Sequence, residues 1–85
     1  MPYRIEFSPR ADRQFRKLPR PVQIRLKPVI DTLALDPYPT RIRKLEENVY
    51  RHRVGDFRII YEVQEKTLTI CILKMGDRKE IYRRL

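Results

Sequence analysis

Three arginines fall within eight residues of the segment YRHRVGDFR, residues 50–58. The Gly55-Asp56 pair at its centre, flanked by alternating residues, indicates a two-residue β-hairpin turn. Such a turn places Arg53 directly opposite Arg58 and puts Arg51 on the same face. Like charges in opposed positions destabilise a sheet by a few tenths to about 1 kcal/mol. The arginines therefore suggest a chemical role, and their planar forks of N–H donors suit phosphate.

A structural explanation for the same arginines stays open. They can solvate an exposed sheet face, with nearby acidic side chains relieving the repulsion. Further along the chain, Gly76 allows a turn that returns Arg78 and Tyr82 toward the arginine face. Tyr82 has two interpretations, as an aromatic that packs over the sheet or as a base-stacking or proton-transferring group at a phosphate site.

Other reactive residue types are more consistent with structural roles. His52 alternates with apolar residues, so it is predicted to face the core rather than act as a base. Cys71 is the single cysteine and lies in the apolar run LTICIL, so a structural thiol is expected. We expect no metal and no other cofactor, because the acids show no ligand spacing; these are Glu46, Glu47, Asp56, Glu62 and Asp77.

The charge of the chain indicates a polyanionic partner. The sequence has 20 Lys and Arg residues against 11 Asp and Glu residues, a formal net charge of +9. The excess is spread over both halves of the chain, so it belongs to the folded domain rather than to a basic arm. Such a field favours nucleic acid, an acidic protein or an anionic membrane, although a basic protein that binds nothing has the same composition.

The length of 85 residues predicts one domain over residues 1–85. No apolar run approaches the roughly 18 residues of a membrane span, and no signal peptide is expected ahead of Arg4. Together with the lone cysteine, these features predict a protein of the reducing cytoplasm with no membrane partner.

The elements that must position the arginines begin with a strand and a helix. Residues 2–7 alternate as a short strand. A helix follows, with Ser8 as its N-cap and Pro9 at its first position, and Pro19 ends it.

A second helix is predicted to start at Pro21. Pro28 lies inside it and removes a backbone donor, which predicts a kink or a break. Residues 36–40, with the sequence DPYPT, end the helical pattern, and residues 41–48 are predicted to be mostly loop.

The period then changes to two, which predicts strands at residues 49–54, 57–63 and 67–74. The hairpin pairing collects apolar residues on one face, namely Tyr50, His52, Val54, Phe57, Ile59 and Tyr61, joined by Leu68, Ile70 and Ile72. The order β-α-α-β-β-β predicts a compact α+β domain. In it, an antiparallel sheet has a two-helix hairpin on one face and an open basic face on the other.

The chain resembles the toxins of the RelE/ParE superfamily, on the RelE side, over essentially its whole length. The resemblance includes FRKLP in the first helix and Lys44-Leu45 before the second strand. Its most specific part is YRHRVGDFRIIYEV, followed by an apolar strand and a Gly-x-Arg…Tyr ending at Tyr82.

This resemblance implies the toxin of a type II toxin–antitoxin system, a metal-independent, ribosome-dependent endoribonuclease that cleaves mRNA in the A site. Its implied catalytic residues are Arg51, Arg53, Arg58, Arg78 and Tyr82. Arg53 and Arg58 are expected to clamp the scissile phosphate, with help from Arg78, and Tyr82 is expected to act as general base. The implied partners are an acidic antitoxin, the ribosome with its A-site mRNA and, only through the antitoxin complex, operator DNA.

Three positions depart from the pattern of this superfamily. Arg51 and Arg53 stand where lysines are usual, and arginine stays protonated, so neither is a general base. Asp77 stands where many relatives have histidine. Two other functions therefore stay open: a ParE-like toxin that inhibits DNA gyrase by binding it, and a degenerate toxin that binds its antitoxin without cleaving RNA.

Overall fold

The computed structural model describes residues 2–77. In chain order its elements are β1 (Arg4–Phe7), α1 (Pro9–Lys17), α2 (Arg20–Leu33), β2 (Ile42–Glu46), β3 (Val49–Val54), β4 (Phe57–Gln64) and β5 (Thr69–Asp77). The strands of this part of the chain form one sheet in the order β1-β5-β4-β3-β2. The predicted α+β architecture is thus confirmed, while Arg78 and Tyr82 lie outside the described residues.

The first helix begins and ends where its sequence signals lie. Ser8 is the N-cap of α1, and its Oγ accepts a hydrogen bond from the Ala11 N–H at 3.0 Å. At the other end, Nε2 of Gln23 donates to the carbonyl oxygens of Phe15 at 2.9 Å and Leu18 at 3.1 Å. These bonds satisfy carbonyls that a helix terminus leaves free, and they join α1 to α2.

The second helix continues through Pro28 without the predicted break. Pro28 and Ile24 are exposed, so water can hydrate the Ile24 carbonyl that the proline leaves without a donor. On the opposite side Leu26, Ile30 and Leu33 are fully buried. Burial of this face stabilises the helix enough to retain a proline on its water-facing side.

The β3–β4 hairpin has the predicted register, with Arg53 opposite Arg58. Gly55 has a φ of 60° and Asp56 does not have a positive φ, as in a type II′ turn. A β-carbon at Gly55 would lie 3.1 Å from Nη2 of Arg25, so α2 packs closely against the turn.

Three expectations about the sheet are wrong. Residues 41–48 are not mostly loop, because β2 pairs with β3. The sheet is mixed rather than antiparallel throughout, since β1 runs parallel to β5 with Ile5 opposite Ile70. Leu68 was expected on the apolar face, but it lies in the β4–β5 turn with a φ of 48° and a relative exposure of 41%.

A β-bulge in β5 changes which side chains point away from the helices. Ile60 pairs with Lys74, whereas Tyr61 pairs with Ile72, so Leu73 is an extra residue in β5. Leu73 and Lys74 consequently both lie opposite Ile60, on the sheet face away from the helices. Leu73 packs there against Ile60.

The polar backbone groups of this bulge are bonded to side chains at the start of the chain. The Leu73 carbonyl accepts a hydrogen bond from Oγ of Ser8 at 2.7 Å. The Met75 N–H donates to Oε1 of Gln14, in α1, at 2.8 Å. Because buried backbone groups need partners, these two bonds hold the bulge in place.

The core lies between the helical hairpin and one face of the sheet. Its buried side chains are Ala11, Ile30, Leu33, Ile59, Tyr61, Val63, Ile70, Ile72 and Met75. The Tyr61 hydroxyl donates to the Pro37 carbonyl at 2.7 Å, which satisfies its polar atom. The predicted alternation along β4 and the first part of β5 is therefore confirmed.

Gln14→Ala should lower the free energy of unfolding by about 1–3 kcal/mol, because the partly buried Met75 N–H would lose its acceptor. Arg13→Ala, at the neighbouring exposed position, is the matched control and should change it by no more than about 0.5 kcal/mol. Urea unfolding measures both values. Equal losses for the two variants would contradict the anchoring of the bulge by α1.

Candidate functional site

Basic residues cover one end of the sheet face that points away from the helices. This basic face consists of Arg43, Arg51, Arg53, Arg58 and Lys74. They form two rows across the strands, one running Arg53, Arg58, Gly76 and the other running Arg43, Arg51, Ile60, Lys74. The sheet thus brings together the three predicted arginines and two further cations.

The predicted arginines differ in exposure. Arg53 is exposed and Arg51 is half-buried, but Arg58 is only 5% exposed. Nη1 of Arg58 donates to the Phe57 carbonyl at 3.3 Å, while its Nε has no hydrogen-bond partner within residues 2–77. The expectation of an open face therefore fails at Arg58, which presents a buried guanidinium with spare donor capacity.

No acidic side chain of residues 2–77 neutralises the opposed pair Arg53 and Arg58. Within the described part of the chain, neither residue forms an ion pair with a carboxylate. The pairs that occur lie elsewhere, between Arg4 and Glu6, Arg16 and Asp12, and Lys27 and Asp31. Among the described residues, therefore, no acidic side chain relieves the repulsion between these two arginines, as the structural explanation would require.

Sequence reasoning missed Arg43 and Lys74. Arg43 lies on β2, and the alternation of Arg41, Ile42 and Arg43 was a weak strand signal in a segment interpreted as loop. Lys74 reaches this face only because of the bulge, since regular alternation after Ile72 would turn it toward the core. No residue type in β5 marks the bulge in advance.

The same sheet face has the opposite charge beyond these rows. Glu62 pairs with Cys71, and Cys71 pairs with Glu6, forming what we term the acidic row. Burial raises the pKa of the Cys71 thiol, and the carboxylates of Glu62 and Glu6 raise it further. The thiol therefore stays protonated, as expected for a structural cysteine, and the acidic row ends the positive field.

His52 lies on the other face of the sheet, as predicted. It pairs with Ile59, and its Nδ1 is buried without a hydrogen-bond partner among the described residues. Burial lowers the pKa of His52, although a hydrogen bond with the backbone of Arg41 opposes the shift. A neutral imidazole on the helix side plays no direct part in the basic face.

A second basic feature lies on the helix side. A cavity of about 590 Å³, the α1 groove, opens between α1 and the adjoining ends of β4 and β5. Arg10, Arg13 and Lys17 line it on the helix, and Phe57 and Asp77 line it on the sheet. The guanidinium of Arg25 lies 5.9 Å from the centre of the Phe57 ring.

Two features that other classes of function require are absent from residues 2–77. No cluster of three or more His, Cys, Asp or Glu residues in this range could hold a metal ion. None of its helices is long and apolar enough to cross a membrane. Arg78 and Tyr82 lie beyond this range, so their roles stay predictions.

Residues 5–82 match the family described as the ParE toxin of type II toxin–antitoxin systems, parDE. The chain belongs to this family. Toxin RelG of Mycobacterium tuberculosis is 30% identical over 90 residues, which cover 99% of this chain and 100% of that protein. The putative toxin RelE1 of Methanocaldococcus jannaschii is 31% identical over 88 residues, 98% of each chain.

Solved structures share the fold. RelE in the archaeal RelE–RelB complex from Pyrococcus horikoshii has a TM-score of 0.81 and 33% identity, covering 92% of this chain and 97% of that one. The isolated Escherichia coli RelE toxin also has a TM-score of 0.81, at 22% identity over 96% of this chain and 93% of that one. At this identity the similarity is evidence for the fold only. This chain is a RelE-type toxin of a type II toxin–antitoxin system, as its resemblance to the superfamily predicted.

Arg58→Met should raise the free energy of unfolding by roughly 1 kcal/mol or more, because it removes a buried charge that has no carboxylate partner among the described residues. Arg53→Met is the matched control, since it relieves the same like-charge contact without changing a buried charge. Its free energy of unfolding should therefore increase by less. Urea unfolding compares the two variants. A loss of stability in Arg58→Met would contradict the inference that the buried charge of Arg58 is uncompensated.

Proposed function

We propose that this toxin cleaves mRNA in the ribosomal A site, by attack of a ribose 2′-hydroxyl on the adjacent phosphate. The supporting observation is that the buried guanidinium of Arg58 lies opposite Arg53. Neither arginine has a carboxylate partner within residues 2–77. A buried unpaired charge destabilises a fold, and a bound phosphate would offset that cost. Fixed N–H donors also stabilise the extra negative charge of a pentavalent phosphorus transition state.

In the proposed reaction the 2′-oxygen forms a bond to phosphorus while a base takes its proton. The bond from phosphorus to the 5′-oxygen of the next nucleotide breaks, and that oxygen takes up a proton, which leaves a 2′,3′-cyclic phosphate. Arg51, Arg53 and Arg58 remain protonated, so they bind phosphate oxygens and do not transfer protons. We assign the base to Tyr82 and stabilisation of the leaving oxygen to Arg78.

The proposed partners follow from charge and from the relatives. A net charge of +9 favours an acidic antitoxin. RelE proteins of Pyrococcus horikoshii and Methanococcus jannaschii have been solved in complex with RelB. We expect the antitoxin of this chain to cover the basic face and to mediate any contact with operator DNA. The free toxin would act on ribosomes in the cytoplasm.

A second function has specific support. The matched family is described by its ParE toxin. A ParE-like toxin would inhibit DNA gyrase by binding it. This function requires no phosphate chemistry, so it gives no role to Arg53 and Arg58, which lie opposite each other without a carboxylate partner within residues 2–77. We therefore rank it below RNA cleavage.

Arg53→Glu should reduce cleavage at least 100-fold, because it removes a donor and introduces repulsion at the phosphate. The measurement uses purified stalled ribosomes with a defined A-site codon and locates mRNA ends by primer extension. Lys66→Glu is the control, since it makes the same change of charge in the β4–β5 turn, at the opposite end of the sheet. It should cleave as the wild type does.

A parallel gyrase supercoiling assay distinguishes the two functions. Cleavage within the A-site codon that requires ribosomes and is lost in Arg53→Glu is the expected result. Inhibition of supercoiling without RNA cleavage would assign the chain to the ParE-like function. A folded protein that binds an antitoxin but does neither would be a degenerate toxin, and the basic face would then be a docking surface.

A further inference from the structure

Lys74 occupies a position that the bulge creates and that the proposed reaction does not use. It is half-buried opposite Ile60, in the row that also contains Arg43 and Arg51. The next residue, Met75, is fully buried in the core. The side chain of Lys74 therefore points away from the helices, toward the arginines of the basic face.

Lys74 is the single lysine of the basic face within residues 2–77. Lys44 pairs with Tyr50, which places it on the helix side of the sheet, and Lys66 lies in the β4–β5 turn. Lys74 also forms no ion pair with a described carboxylate. Its ammonium group is a compact cation on a flexible stem, unlike the planar forks around it.

The spacing of the two basic rows suits consecutive phosphates. Gly76, two residues beyond Lys74, lies opposite Arg58. Side chains two residues apart along a strand are separated by about 7 Å, which is comparable with the spacing of consecutive phosphates along an extended RNA strand. A strand with one phosphate over Arg53 and Arg58 can thus bring a neighbouring phosphate over the row of Lys74.

The surroundings of Lys74 favour an anion at this row but not beyond it. Val49, Ile60 and Leu73 form a small apolar cluster that offers no competing acceptor side chain. The acidic row follows on the far side, where Glu62 repels phosphate and Glu6 forms an ion pair with Arg4 at 3.2 Å. The positive field is therefore two rows deep.

We propose that Lys74 binds the phosphate next to the reacting one, so that the site holds two successive phosphates of one RNA strand. This inference rests on the proposed function for the identity of the ligand, and it adds a residue and a second phosphate subsite. Two anchored phosphates would also fix the orientation of the ribose between them, which positions the reacting groups.

Fluorescence anisotropy with a labelled, 2′-O-methylated oligouridylate, which cannot be cleaved, tests the contact on the isolated toxin. Lys74→Met should weaken binding roughly fivefold to tenfold at low salt, through loss of one charge-assisted contact. It should also reduce the slope of log affinity against log salt by about 0.7, the value for one phosphate on a single strand.

Two variants serve as controls in the same titration. Lys74→Arg should retain both the affinity and the salt slope, because it keeps the charge. Lys44→Met should match the wild type, because this lysine lies on the other face. Circular dichroism and urea unfolding establish that each variant is folded.

An unchanged affinity and salt slope in Lys74→Met would overturn the proposal. So would a Lys74→Arg variant that binds as weakly as Lys74→Met, because packing rather than charge would then explain the loss. The proposed function fails separately, if the wild type does not cleave mRNA on the ribosome. The binding comparison of the Lys74 variants stands in either case.

Discussion

The hydrogen bonds that α1 makes to the bulge in β5 determine how the rest of the site is arranged. Ser8 and Gln14 bond to the Leu73 carbonyl and the Met75 N–H, which allows β5 to carry one extra residue. Met75 can then enter the core while Lys74 points outward, and the strand continues to pair with β4 as far as Asp77. The helix that packs on one face of the sheet thus controls which charges lie on the other face.

The charge distribution of that face is the opposite of what stability alone favours. Arg58 is buried opposite Arg53 with no carboxylate partner in residues 2–77, while the carboxylates of Glu62 and Glu6, the latter paired with Arg4, lie at the other end. A carboxylate in place of one of the two opposed arginines would stabilise the free protein. The proposed function, in which this site binds a phosphate and its developing charge, would explain why the cations are kept together. The apolar core on the helix side compensates for the cost.

Local rules were sufficient for the central hairpin, because a two-residue turn determines every pairing in it, including Arg53 with Arg58. They failed where strand pairing and side-chain direction depend on contacts between distant parts of the chain. The parallel pairing of β1 depends on a contact across more than sixty residues, from Ile5 to Ile70. β2 has a charged residue on each face, Arg43 on one and Lys44 on the other, which hid Arg43. The direction of Lys74 depends on a bulge held from α1. The roles of Arg78 and Tyr82 stay predictions from the family resemblance.

Locating a bound RNA strand on the toxin would test most directly whether the basic face is its RNA site. Backbone amide NMR shifts can be followed while the uncleavable oligouridylate is added at low salt. The largest changes should occur in the β3–β4 hairpin and at Lys74 through Asp77, with little change at the acidic row. Changes confined to Arg10, Arg13 and Lys17 in the α1 groove, with the hairpin unaffected, would contradict this assignment.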